Sequence, residues 1–286
     1  QSGWGSLVSE YEGSPSGSNV QSRAIGVLDD GEGFITAYRF NSTTTWDGVQ
    51  HTANTSSWSL VGKLDSDFNH DWFVIFSAKY WSNNLPDADV DVSQIEVGDD
   101  AIFISGYFSG GRLYVNGTTH SMTSTGTSGF VSRISFDGDH EWTQVYTLAT
   151  TEKACFSVDS DEDLFMAIEF KGSIQLNGSS SSYSSSGGAA NNNVLLARLN
   201  QSTGLATDTN LLSSSNTDLV GVSCIADGDN ESVIVSGYAR SSQTHAGVSM
   251  NGYFLVKINS TLDAIDAIDL SAGGKVNSLK SESGFL

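Results

Sequence analysis

Two stretches of the chain match each other without a gap at a fixed offset. "SLVGKLDSDFNHDW" spans residues 59–72, and "GFVSRISFDGDHEW" spans residues 129–142. The second stretch repeats the apolar, basic and aromatic positions of the first, and both end in tryptophan, at Trp72 and Trp142. A chain built from copies of one unit buries the apolar face of each copy against its neighbours. This repeat therefore restricts the fold to a regular array of similar units.

Four copies of the unit can be traced along the chain. Each has an apolar first strand, an acidic turn and a second strand that contains a small residue. The second strands are "FITAYRF" (34–40), "IFISGYF" (102–108), "LFMAIEF" (164–170) and "VIVSGYA" (233–239). Alignment on their small residues gives steps of about 60–70 residues. The aligned small residues are Ala37, Gly106, Ala167 and Gly237.

A third and a fourth strand complete each copy. The third strand carries one basic residue between apolar ones, namely Lys63, Arg133, Arg198 and Lys257. Because these cations recur in every copy, we expect them to pair with carboxylates of their own or the next unit. The fourth strand opens at Trp72 and Trp142 in the first two copies, and lies around 205–212 and 263–270 in the others.

The connections between second and third strands are long and rich in Ser, Thr and Asn. They span residues 41–57, 113–128 and 173–193. Each contains a dipeptide that favours a type I′ hairpin turn. These dipeptides are Asp47-Gly48, Asn116-Gly117 and Asn177-Gly178. Their common place in the repeat predicts that all three connections lie on one side of the molecule.

Four antiparallel strands per unit, with no helical periodicity, predict an all-β fold, a β-propeller of about five four-stranded blades. We expect residues 1–286 to form a single domain with four fully encoded blades. The terminal segments 1–12 and 273–286 are expected to contribute to a shared or incomplete closing blade, which would leave no sheet edge open. The four complete repeats are approximately 20–82, 88–147, 151–212 and 217–270.

The units resemble SBBP-type β-propeller repeats, which occur in secreted bacterial and other extracellular proteins. The resemblance is carried by the apolar strand, the acidic turn, and the third strand followed by Asp, Gly and tryptophan. It is best in residues 20–147 and extends at lower fidelity over nearly the whole chain. It implies a propeller fold and a role as an extracellular binding or surface-layer module, without a shared chemistry.

Charge and hydropathy exclude two classes of partner. The formal net charge of −20 repels phosphate backbones and anionic membrane surfaces, so we expect no nucleic-acid partner. No apolar run approaches the roughly 18 residues that a membrane-spanning helix needs. We therefore expect no membrane insertion.

Asn-x-Ser/Thr sequons indicate a secreted, N-glycosylated protein that lies outside the cell or on its surface. They occur at Asn41, Asn54, Asn116, Asn177, Asn200, Asn230 and Asn259. The sequons fall in expected turns and loops, and four of them lie in the long connections. A glycan-coated rim and plain solvated loops both fit this placement.

Alternating oxygen-bearing side chains in two acidic turns are weak candidates for calcium ligands. The candidates are Asp65, Asp67, Asp159, Asp161 and Asp163. An EF-hand loop needs Gly at its sixth position and Glu at its twelfth, and neither turn has them. Asp also favours tight turns through bonds to its own backbone. We therefore expect turn formation rather than a metal site, and no cofactor.

The two cysteines, Cys155 and Cys224, lie at nearly matching places on the first strands of the third and fourth units. In a secreted chain a disulfide would link two neighbouring units. The alternative is two small buried thiols in a reducing compartment. The matching positions favour the disulfide.

No motif for a nucleophile, a phosphate-binding loop or zinc appears, and we name no catalytic residue. His70 and His140 share one repeat position, which indicates a structural role. The sequence favours a non-enzymatic structural or adhesive protein. A sharper hypothesis is a filament subunit that joins copies of itself head-to-tail through strands 3–11 and 275–286. The alternative is a lectin-like propeller that binds surface glycans through Trp46, Trp58, Trp81 or Tyr183. A polysaccharide lyase or glycoside hydrolase is a third reading.

Overall fold

The computed structural model shows an all-β protein. It describes residues 20–28, 33–46, 49–53, 56–80, 87–121, 127–147, 154–158, 164–179, 181–185, 192–212, 217–218, 224–226 and 232–271. These residues form strands and turns, and no helix occurs among them. The expected terminal strands 3–11 and 275–286 lie outside the described residues.

Unit 1 is a four-stranded antiparallel sheet with a small hairpin between its second and third strands. Its strands are β1 (Gln21–Val27), β2 (Phe34–Phe40), β3 (Thr43–Trp46), β4 (Val49–Thr52), β5 (Trp58–Leu64) and β6 (His70–Lys79). The sheet order is β1-β2-β5-β6, and β3 pairs with β4 to form the hairpin.

Unit 2 repeats this arrangement. Its strands are β7 (Asp87–Ala88), β8 (Val90–Val97), β9 (Ala101–Phe108), β10 (Arg112–Val115), β11 (Thr118–Ser121), β12 (Ser128–Ser135) and β13 (His140–Thr147). The sheet order is β8-β9-β12-β13, while β10 and β11 form the hairpin. The short β7 pairs with the end of β6.

Units 3 and 4 follow in the same order. Unit 3 contains β14 (Ala154–Val158), β15 (Leu164–Phe170), β16 (Ser173–Ile174), β17 (Tyr183–Ser184), β18 (Asn193–Leu199) and β19 (Ala206–Leu211). Unit 4 contains β20 (Thr217–Asp218), β21 (Cys224–Ala226), β22 (Val233–Ala239), β23 (Gln243–His245), β24 (Val248–Met250), β25 (Tyr253–Ile258) and β26 (Ala264–Asp269). In both units the small hairpin again precedes the third strand.

A hydrophobic core lies between each pair of successive sheets. Ile35 and Val61 of unit 1 pack with Ile104 and Phe130 of unit 2, and similar clusters join units 2 and 3 and units 3 and 4. The first strands contact one another in chain order, β1 with β8, β8 with β14, and β14 with β21. Each of the first three sheets therefore packs on one face against the next unit.

A small two-stranded hairpin lies in the connection between second and third strands of every unit. In unit 2 the hairpin reaches across to unit 1, because β10 pairs with β6 from Arg112 opposite Lys79 to Val115 opposite Phe76. Asn116 extends this pairing, since its backbone N–H donates to the Ile75 carbonyl at 3.0 Å. Backbone hydrogen bonds thus join two units in addition to the apolar core.

Strand pairing corrects the alignment of the second strands. In each third strand, the residue two positions before the basic residue pairs with one residue of the second strand. These equivalent partners are Ala37, Ser105, Ala167 and Ser236. The alignment on Gly106 and Gly237 is therefore wrong by one position. The reason for Gly106 is local: a Cβ there would lie 2.2 Å from the Asp91 carbonyl oxygen.

The expected type I′ turn is confirmed at Asn116-Gly117, where φ is +45° and +82°. It is wrong at Asn177-Gly178, where Gly178 alone has positive φ and the Ser179 N–H donates to the Leu176 carbonyl, a type II turn. Asp47-Gly48 lies outside the described residues. In unit 4 Ala246 and Gly247 form the two-residue turn of β23–β24.

The turn between third and fourth strands is closed by similar backbone hydrogen bonds in all four units and is one residue longer in unit 3; we call it the outer turn. Its residues are 65–69, 135–139, 200–205 and 259–263. The next-to-last residue of each turn has positive φ, and a bulge in the pairing follows the turn. These residues are Phe68, Gly138, Gly204 and Leu262.

A side chain from each fourth strand contacts the outer turn of the next unit. The indole N–H of Trp72 donates to the Phe136 carbonyl at 2.8 Å, and that of Trp142 donates to the Gln201 carbonyl at 2.7 Å. Between units 3 and 4 the amide of Asn210 donates to the Leu262 carbonyl at 3.0 Å. A fourth-strand side chain thus contacts the outer turn of the next unit at three junctions, and the third contact comes from two positions beyond the one that the tryptophans occupy.

Glycine at the outer turn makes room for the tryptophan. A Cβ at Gly138 would lie 2.6 Å from Trp72 Cγ, and a Cβ at Gly204 would lie 2.5 Å from Trp142 Cζ3. Leu262 has a Cβ, and its carbonyl accepts from the smaller Asn210 side chain. Asp208 stands at the tryptophan position of unit 3, so the third junction lacks both the tryptophan and the glycine.

We expect Gly138→Ala to lower the free energy of unfolding by about 2–4 kcal/mol. Left-handed backbone costs alanine about 1 kcal/mol, and displacement of the Trp72 ring adds the remainder. Gly117→Ala is the matched control, because Gly117 has φ +82° and nothing lies within 4 Å of its Cβ position. Urea unfolding should show a loss of about 1 kcal/mol for the control; equal losses for both variants would contradict the contact.

Candidate assembly interface

Exposed apolar side chains concentrate on the two end units. The large exposed ones among the described residues are Val20, Ile25, Val27, Val49, Phe68, Leu205, Ile265 and Ile268. Within that set Leu205 alone lies outside units 1 and 4 and their immediate flanking residues. We call the face of unit 1 turned away from unit 2 the first flank, and the outward face of unit 4 the last flank. Exposed apolar surface of this kind marks sites of association.

The last flank carries a fourth strand whose equivalents in the other units contact the following unit. In the strand pairing Ile268 occupies the place of Val74, Gln144 and Asn210. Val74 is fully buried against unit 2, and Gln144 donates to the Thr203 carbonyl of unit 3 at 2.9 Å. Ile268, in contrast, is 52% exposed. The fourth strand of unit 4 therefore presents an apolar side chain where its equivalents contact a following unit.

The first flank carries the outer turn of unit 1, whose equivalents in the other units receive a side chain of the preceding unit. Phe68 stands at the outer-turn position of Gly138, stacks on Phe34 with ring centroids 5.4 Å apart, and is 39% exposed. Because Phe68 has a Cβ, a tryptophan cannot lie over this turn as Trp72 lies over Gly138. A strand that docks here has to pack beside the phenylalanine ring.

The aromatic residues proposed to stack on sugars are placed differently from expectation. Trp46 is 6% exposed and packs in a cluster with Phe40 and Leu60, so its assignment as an exposed sugar platform is wrong. Trp58 is half-buried, and Tyr183 donates its hydroxyl to the Thr209 carbonyl at 2.8 Å. Trp81 lies outside the described residues.

The recurring cations of the third strands have local partners. Lys63 Nζ lies 3.1 Å from Asp71, and Arg133 pairs with both Asp100, at 2.6 Å, and Glu141. The Arg198 guanidinium donates to the Ser260 carbonyl of the next unit at 3.4 Å. The expected carboxylate partners are confirmed for Lys63 and Arg133, while Arg198 contacts a backbone oxygen of the next unit.

Asp65 uses its carboxylate to form the outer turn. Its Oδ1 accepts the backbone N–H groups of Asp67 and Asn69 at 2.9 and 2.8 Å, and the Asn69 side chain donates to Oδ2 at 3.0 Å. These bonds, above all that from the Asn69 side chain, lower the pKa of the Asp65 carboxyl. No group of three residues suited to a metal occurs in the described part of the chain. Asp159, Asp161 and Asp163 lie outside it.

The histidines make ring contacts inside the units. His70 packs edge-on against Trp46 at 4.4 Å, and its repeat equivalent His140 packs against His120 at 5.2 Å. The latter contact joins the hairpin strand β11 to β13. His140 Nε2 is also 2.7 Å from the Thr143 hydroxyl. Burial lowers the pKa of His120 to about 4, with a further contribution from His140, and burial also lowers the pKa of His140.

The described sequons lie on the surface, but their amides differ in what they bond. Asn41, Asn116, Asn177 and Asn200 are exposed, and Asn259 is half-buried. Asn116 accepts the Ile75 N–H through Oδ1, whereas Asn177 donates Nδ2 to Gln144 at 2.8 Å. Asn200 and Asn259 accept turn N–H groups through Oδ1. Asn54 and Asn230 lie outside the described residues.

The backbones of Cys155 and Cys224 lie in the neighbouring strands β14 and β21. Cys155 pairs with Ala167, and Cys224 pairs with Val235, which is one position off the Ala167 equivalent Ser236. The two positions therefore lie at adjacent levels of adjacent strands. The side chains fall outside the description, and the disulfide stays a prediction.

We expect the His120–His140 contact to make stability depend on pH. The folded pKa of His120 lies below the unfolded value of about 6.5, so the unfolded chain takes up protons first as pH falls. Stability should therefore decrease from pH 7 towards pH 4 and level off below it. His120→Phe keeps a ring but cannot titrate, and should flatten the dependence measured by urea unfolding. Thr119→Val, on the same strand, is the control; an unchanged slope in His120→Phe would contradict this role.

In the described part of the chain, no helix is both long and apolar enough to cross a membrane. No protein-family model matches the chain, and no curated protein sequence matches it.

Proposed function

We propose that the protein is a secreted, glycosylated structural or adhesive protein of a cell surface or extracellular appendage, and that it folds as a β-propeller. Four successive units with one antiparallel strand order, first strands that contact one another in order, and cores between the sheets support this arrangement. The resemblance to SBBP-type repeats points the same way.

The observation that carries an assembly role is the pair of open flanks. Phe68 on the first flank and Ile268 on the last flank are exposed, although their equivalents take part in contacts between units. At the three junctions between units, these positions contact the neighbouring unit. At the two ends they carry exposed apolar side chains, which suit a further contact of the same kind. The protein is then a subunit that joins copies of itself head-to-tail.

Terminal strands provide the route for this joining. In our proposal, strand 3–11 of one copy and residues 275–286 of the next together form the closing blade, which is the last of about five. Strand addition satisfies backbone groups at an open sheet edge. A head-to-tail contact that does not close within one chain propagates into a filament.

An extracellular setting fits the remaining features. The exposed sequons offer attachment points for glycans along the surface. A disulfide between Cys155 and Cys224 would join units 3 and 4 in an oxidising compartment. A formal net charge of −20 keeps dispersed copies apart until a specific contact forms.

We expect negative-stain electron microscopy of the protein, secreted without tags from a glycosylating host, to show regular fibres. Ile268→Lys should abolish fibres while leaving the monomer folded, because the side chain is 52% exposed. Leu205→Lys is the matched control, since Leu205 is 41% exposed but lies away from both flanks.

Two results would contradict the proposal. One is a protein that sediments as a monomer at high concentration with both termini intact. The other is fibre formation that Ile268→Lys leaves unchanged. Glycopeptide mapping of the same preparation checks the sugars independently, and bare asparagines at Asn41, Asn116, Asn177 and Asn200 would contradict the glycoprotein assignment.

A further inference from the structure

A cluster of charged side chains lies between units 1 and 2, separate from both flanks. Asp91 Oδ2 of β8 is 2.8 Å from the Arg23 guanidinium of β1 and 3.3 Å from that of Arg39 of β2. The Tyr107 hydroxyl of β9 donates to the same oxygen at 3.0 Å. Three donors from three strands therefore converge on one carboxylate oxygen.

The backbone around this cluster is shaped to place these side chains. Both first strands have a bulge here: β1 between Ser22 and Ala24, which leaves Arg23 unpaired, and β8 between Val92 and Gln94. Bulges re-aim side chains and are common beside functional sites. Gly106 permits the close approach of the Asp91 backbone, because a Cβ would lie 2.2 Å from its carbonyl oxygen.

Neighbouring serines fix the segment that carries Asp91. The Ser59 hydroxyl donates to the Val90 carbonyl at 3.1 Å and accepts the Val92 N–H at 3.2 Å. Asp89 accepts the Ser57 N–H at 2.7 Å. The cluster is thus held by unit 1 and unit 2 together and does not depend on a mobile loop.

The cluster leaves hydrogen-bonding capacity unused. The Asp91 side chain is 5% exposed, and its Oδ1 has no hydrogen-bond partner in the described part of the protein; the same holds for Arg39 Nε. A buried carboxylate oxygen and a buried guanidinium N–H without partners are unusual, because burial removes their water. Arg133 also leaves its Nε without a partner, so the unpaired Asp91 Oδ1 is what distinguishes this cluster in the described part of the protein.

The rim of the cluster is open to a ligand. The side chains of Arg23 and Arg39 are 30% and 27% exposed, and that of Asp89, 3.7 Å from Arg39, is 53% exposed. Two arginines face two aspartates, so the cluster has no net charge to attract an ion. Fixed donors and fixed acceptors side by side are complementary to hydroxyl groups, each of which donates and accepts.

We infer that this cluster binds a neutral sugar through two adjacent hydroxyl groups. Arg23 and Arg39 donate to the hydroxyl oxygens, the exposed carboxylate of Asp89 accepts a hydroxyl proton, and the buried Asp91 holds the two arginines in place. Anionic ligands are disfavoured by the two carboxylates and by the formal net charge of −20. The site lies within a single chain, so it stands whether or not copies assemble.

Saturation-transfer NMR on the folded monomeric protein tests the inference with methyl glucoside, methyl galactoside and methyl mannoside as probes. Glucuronate and inorganic sulfate serve as anionic comparisons. We expect at least one neutral glycoside to bind in the millimolar range, and Asp89→Asn to weaken it about tenfold. Asp89→Asn preserves shape and an oxygen for the Ser57 N–H, so the fold is retained. Arg112→Gln, on β10, is the control and should bind normally.

Three outcomes would overturn the inference. The first is that no neutral glycoside binds at about 50 mM, a concentration that detects even weak sugar sites. The second is tighter binding of glucuronate than of methyl glucoside, which would indicate an anion site. The third is binding that neither Asp89→Asn nor Arg23→Gln changes, which would place the sugar elsewhere.

Discussion

Each outer turn has to leave space for the side chain that the preceding unit brings onto it. Trp72 and Trp142 fit because Gly138 and Gly204 lack a Cβ, and the indole N–H then reaches a backbone carbonyl that the turn leaves unpaired. The contact supplies both apolar packing and a hydrogen bond at the junction of two sheets. Where Leu262 replaces glycine, the tryptophan is replaced as well. The junctions between units therefore depend on pairs of residues far apart in sequence.

Much of the fold could be predicted because strand alternation and turn residues are local signals. The third strands, with Lys63 or Arg133 between apolar residues, and the type I′ turn at Asn116-Gly117 follow from short stretches of sequence. The alignment on Gly106 could not be corrected from sequence, because Gly106 has to be small to fit against the Asp91 backbone of a neighbouring strand. Pairing of β10 with β6 across two units was invisible for the same reason. Contacts between distant segments leave no periodic pattern.

The candidate sites show the same limit. Sequence reasoning could identify Asp65 as a turn former, because its bonds reach only to residue 69. It chose Trp46 as an exposed aromatic, although packing against Leu60 and Phe40 buries it. It missed Arg23, Arg39 and Asp91 altogether, since they come from three strands and two units and share no motif. The weak signal available was a pair of arginines near the start of an acidic chain's first unit, and no spacing rule connects them to an aspartate 52 residues beyond Arg39.

Open flanks distinguish the end units of this chain from its internal units, and the proposed assembly depends on their being covered by a neighbouring copy. Hydrogen–deuterium exchange, compared between the fibre and the dispersed protein, measures this coverage directly. The account predicts that residues 65–69 and 264–269 gain protection in the fibre, while the internal turn 135–139 is protected equally in both states. Equal exchange of the two flanks in both states would contradict it, because the flanks would then take no part in joining the copies.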